Sequence, residues 1–69
     1  MATLTASGRE HDRAAARLAD AMDERARLAE IYERSIGTQR EPQAYEELRE
    51  AGRRVAAYSR WLEWVEADQ

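Results

Sequence analysis

The residues of this chain that bear on chemistry are one histidine, one arginine set into an apolar stripe, and two tryptophans spaced three apart. Arg25 falls where an apolar side chain is expected, with His11 and Ser59 the other polar groups on the same helical stripes. A guanidinium, an imidazole and a hydroxyl converging inside a helical bundle would hold an anionic metabolite, but such a site wants more groups than these. An unpaired guanidinium in a core is costly. Arg25 is therefore expected to lay its methylenes along the seam and carry its head to the edge, or to pair with a glutamate of a neighbouring helix. His11 reads as a packing residue, with Val65 and Gln69 opposite it and no nucleophile or carboxylate evident there. One histidine and no cysteine are too few for a zinc or iron set, and no Glu-x-x-His pair or calcium loop occurs. The expectation is a protein that is not an enzyme and takes no metal or cofactor.

Trp61 and Trp64 carry more information. Plotted at 100° per residue they form, with Ala57, a patch pointing away from the apolar seam of their helix. Two indoles there would expose a large apolar area in a small monomer. Two uses follow: closing a homodimer core, or docking a different protein with Arg53 and Arg60 beside the patch, since tryptophan and arginine are the commonest interface anchors. An alternative is a small nucleic-acid-associated regulator, with Arg49, Arg53 and Arg60 clamping a strand beside Trp64. Against it, Glu46, Glu50 and Glu63 intrude on that surface. Pairs such as Glu46 with Arg49, Glu50 with Arg53 and Arg54, Asp23 with Arg27 and Glu30 with Arg34 have the spacing of a solvated, mutually paired helix face. The formal net charge of −3 supplies no global field for nucleic acid.

The elements that must position these residues are two helices. The first is expected from Gly8 to Ile36, after a loose tail over residues 1–7 and a capping box at Ser7 to Glu10. Its seam, His11, Ala15, Leu18, Met22, Arg25, Ala29, Tyr32 and Ile36, recurs at alternating steps of four and three. Ala14, Ala21, Ala26 and Leu28 widen it, beyond what a two-helix seam requires. Gly37 provides the left-handed cap, and residues 37–41 form a polar turn. Pro42 opens a second helix to residue 67, with Glu46 and Glu47 in its early turns and a seam of Ala44, Leu48, Ala51, Val55, Tyr58, Leu62 and Val65.

So short a connection forces antiparallel neighbours. Folding about it sets Tyr32 near Leu48, Ala29 near Ala51, Arg25 near Val55 and Met22 near Tyr58. The expected fold is all-α: an antiparallel, coiled-coil-like two-helix hairpin over residues 8–67, paired with a second copy as a four-helix bundle. The reason for pairing is size, because a 69-residue core needs a staple and disulfides are absent. Met1 to Gly8 lacks the pattern of a signal peptide and no stretch is apolar enough to span a bilayer, so a cytoplasmic protein without a membrane partner is expected. The function expected is a helical protein–protein interaction module, serving as adaptor, assembly factor or small regulator and binding itself, another protein, or both.

Overall fold

A computed structural model describes residues 2–67, with side chains from Gly8 to Ala67. Two helices, α1 (Ala2–Ser35) and α2 (Glu41–Ala67), fold back on each other as an all-α hairpin. The backbone of α1 continues as helix through Gly8, the start anticipated from sequence. The side chains of residues 1–7, including the Ser7 hydroxyl of the capping box, lie outside the described residues; the backbone of residues 2–7, where a loose tail is expected from sequence, is part of α1.

The turn follows from three residues. Gly37 has φ +84°, a left-handed conformation that a Cβ disfavours. Its N–H donates to Glu41 Oε1 at 2.8 Å, so the first side chain of α2 satisfies a backbone donor at the end of α1. Thr38 ties down the Ser35 carbonyl twice, through its backbone N–H at 2.9 Å and its hydroxyl at 2.6 Å. Ala44 N–H donates to the Arg40 carbonyl at 2.9 Å, which opens α2 at Glu41 and leaves Pro42 second rather than first in the helix. Pro42 removes an N–H that has no partner in a first turn.

The packed side of α2 is the one its sequence marks: Ala44, Ala51 and Val65 are buried, and Leu48, Val55, Tyr58 and Leu62 are half-buried. The packed side of α1 is rotated from expectation. His11, Ala15, Leu18, Ala29 and Tyr32 are half-buried as anticipated, but the deepest positions are Ala14, Ala21 and Ser35, with Leu28 half-buried, rather than Met22 and Ile36. Ala14, Ala21 and Ser35 are buried, whereas Met22 is 48% and Ile36 56% exposed. The reason lies in size. Small side chains recur every seventh residue on both helices, Ala14 and Ala21 on α1 and Ala44 and Ala51 on α2. The antiparallel register sets Ser35 at the level of Ala44, Leu28 of Ala51, Ala21 of Tyr58 and Ala14 of Val65, so each larger group meets a small one without a strained rotamer. Ser35 tolerates burial because its hydroxyl donates to the Ile31 carbonyl at 2.7 Å, within its own helix.

The resulting core is thin, and among the described residues no large side chain is fully buried. The hairpin measures 56 × 14 × 11 Å with a radius of gyration of 16.0 Å, against about 11 Å for a compact domain of this length. No helix among the described residues is long and apolar enough to cross a membrane.

Candidate interaction surface

Three contacts fix which flank of α1 lies beside which flank of α2. On one side, Tyr32 packs on Tyr45 with ring centroids 5.8 Å apart and planes at 57°, and His11 Nε2 lies 3.2 Å from Glu66 Oε2. On the other, Arg54 Nη1 lies 3.6 Å from Glu24 Oε1. The hairpin is thus a slab with two broad faces of different chemistry.

The face bearing Glu24 and Arg54 is polar. A shallow open groove there is lined by Glu24, Leu28, Glu46, Glu47, Glu50 and Arg54. Trp61 falls on this flank, seven residues past Arg54. It is half-buried, its ring 6.4 Å from Tyr58 and tilted by 48°. Trp64 is 63% exposed, and Ala57, Arg53 and Arg60 are exposed with it along the outer side of α2. The two indoles therefore differ: Trp61 shields the edge of the hairpin core, and Trp64 stands in solvent. Arg53 Nη1 lies 3.4 Å from Glu50 Oε1 and Arg49 Nη1 3.9 Å from Glu46 Oε1, so two of the three arginines of the expected basic face are neutralised within their own helix. Glu30 pairs with Arg34 at 4.0 Å as its spacing suggests, while Arg54, expected beside Glu50, reaches across to Glu24.

The opposite face is largely apolar on α1 and mixed on α2, where Arg49, Glu63 and Glu66 border it. Along α1 it carries Ala15, Ala19, Met22, Ala26, Ala29 and Ile36, at alternating steps of four and three but for Glu33 between the last two. Ala15 and Ala29 are half-buried and the other four exposed. Along α2 it carries Tyr45, Gly52, Ala56 and Ser59. Tyr45 is 50% exposed, and a Cβ built on Gly52 would meet nothing within 4 Å. This face is a second helical seam that the hairpin leaves uncovered.

Arg25 is exposed at the edge of this face rather than buried in the seam, and among the described residues it makes no ion pair. Its head takes the solvated course that its long stem permits. Arg25, His11 and Ser59 form no common site: His11 sits at the open end of the hairpin beside Glu66, fourteen residues or about 21 Å along α1 from Arg25. The carboxylate beside His11 is a correction to the sequence reading, which found no partner there; Glu66 immediately follows Val65 and was within reach of that reading. The Tyr32–Tyr45 and Glu24–Arg54 contacts were also missed, because Tyr45, Glu24 and Arg54 flank the seams rather than lie within them. Among the described residues no three His, Asp or Glu side chains converge as a metal site.

Comparisons with protein families, with curated proteins and with solved structures find no match for this chain.

Proposed function

We propose that this chain is a non-enzymatic helical interaction module that works as a homodimer, two coiled-coil-like hairpins stacked into a four-helix bundle that presents its outer side to another protein. The observation that carries the reading is the distribution of apolar groups. Among the described residues no large side chain is fully buried, while Met22, Ile31, Ile36, Tyr45 and Trp64 are all at least 45% exposed. A core of alanines and one valine gives little stabilisation on its own, and a chain without disulfides gains the remainder by covering such groups with another helical surface.

In the bundle, Trp64 with Ala57, Arg53 and Arg60 forms the ridge offered to a second protein, in the role of adaptor, assembly factor or small regulator. An aromatic group flanked by arginines has the composition of an interface anchor. The nucleic-acid reading is weaker on geometry, since Glu46 and Glu50 hold Arg49 and Arg53 and the chain is net acidic. An enzymatic reading lacks a constellation: Arg25 is solvated and its polar companions are far along the hairpin.

The test is the dependence of the thermal midpoint on chain concentration. Folding coupled to dimerisation makes the midpoint rise as the chain is concentrated, by mass action. A midpoint independent of concentration across a hundredfold range, roughly the span that shifts such an equilibrium by 2.7 kcal/mol, would overturn the dimer.

A further inference from the structure

Resting on the dimer reading, we infer that the second copy sits on the face of Ala19, Met22, Ala26 and Ile36, and that the tryptophan ridge on the other side stays outside the self-interface. Three observations lead there. The first is area. The hairpin exposes 5591 Å², where a compact monomer of its mass exposes about 4,450 Å². That excess of about 1,100 Å² is shared between the broad faces and the first turns of α1, which run past the end of α2, and is of the order of the roughly 800 Å² that each partner contributes to a standard stable interface.

The second is shape. The face is a two-helix surface of alternating seam residues, mostly alanine on α1, with Met22, Ile36 and Tyr45 as its large groups. Small residues at this spacing accept the side chains of another helix lying flat against them. An isologous partner supplies what is missing, a large residue for each small one, because both copies carry both kinds. The Glu24 and Arg54 face is charged instead: Glu24, Glu46, Glu47 and Glu50 line its groove with Arg54, and Arg17 and Asp20 continue it, so a second copy there would have to desolvate many ionised groups.

The third is Gly52. A glycine in a helix interior weakens the helix relative to alanine, yet nothing within the hairpin requires it, because a Cβ there would meet open space. Gly52 lies on the same flank as Tyr45, two turns of helix away, in the middle of the uncovered seam. A second copy approaching closely at that level gives the missing side chain a reason.

The chain contains no cysteine, so a single introduced thiol reports on its own surroundings. Ala26→Cys and Ala57→Cys place it at two exposed alanines on opposite sides of the slab, and both substitutions are small enough to leave the hairpin folded, which circular dichroism checks. Maleimide labelling of the full chain is followed at concentrations where the parent sediments as a dimer. The expected result is that Ala26→Cys labels roughly tenfold more slowly than Ala57→Cys, the factor by which the reactive monomer is depleted, and that dilution removes the difference. Protection of Ala57→Cys instead, or of neither position in a dimeric chain, overturns the choice of face. Equal rapid labelling of both in a chain that sediments as a monomer overturns the dimer itself.

Discussion

Tyr32 and Tyr45 face each other across the hairpin, centroids 5.8 Å apart, although the seam positions pair Tyr32 with Leu48. The tilted geometry suits the aromatic quadrupoles and bolts the two helices together just above the turn. Replacing both tyrosines, singly and together, in a urea-denaturation cycle is expected to give a coupling of about 0.5–1.5 kcal/mol. A coupling indistinguishable from zero would mean that the rings are neighbours without being partners.

Gly37 makes a second prediction, at the turn. Its φ of +84° means that Gly37→Ala should lower stability by about 1–2 kcal/mol, with Gly37→Asn losing less because asparagine visits this region more readily. An alanine variant as stable as the parent would show that the turn has another accessible form.

The row of small residues in the core predicts an intolerance to size. Ala21 is buried in the seam, and Ala21→Leu should cost about 1–3 kcal/mol by overpacking, whereas Ala57→Leu on the exposed outer side of α2 should be nearly neutral. Thermal denaturation of the two variants compares them directly, and equal losses would contradict the assigned packing.

Glu24 and Arg54 are each about half exposed where they meet across the helices, so solvent screens their attraction. Glu24→Gln is expected to cost less than about 1 kcal/mol, and added salt should shrink that difference. A larger, salt-insensitive loss would mean that the pair is shielded in the assembled protein.

The two helices, the turn and the packed side of α2 were legible because each has a local signature: alternating apolar spacing, a glycine cap, and a proline that fits only a first turn. The packed side of α1 was not, because its sequence carries two overlapping seams that share His11, Leu18, Arg25 and Tyr32. One continues through Ala14, Ala21, Leu28 and Ser35, the other through Ala15, Met22, Ala29 and Ile36. Hydrophobicity favours the second, which holds Met22 and Ile36 where the first ends on a serine. The choice is made by what lies opposite, Tyr58 at the level of Ala21 and Ala44 at the level of Ser35, and by a hydroxyl bond that makes Ser35 acceptable inside, neither of which a helical projection of α1 contains. The discarded seam is the one left open on the apolar face. On the candidate ridge, the spacing groups Trp61 with Trp64, but Trp61 is half-buried with its ring beside the seam residue Tyr58, while Trp64 is 63% exposed.

Sedimentation equilibrium of the purified chain over a concentration series tests the central claim most directly. The predicted result is a reversible dimer, at twice the chain mass of 8.0 kDa, that dissociates on dilution. A single species at the chain mass up to the highest soluble concentration would contradict it and leave the Met22 and Ile36 face without its second copy.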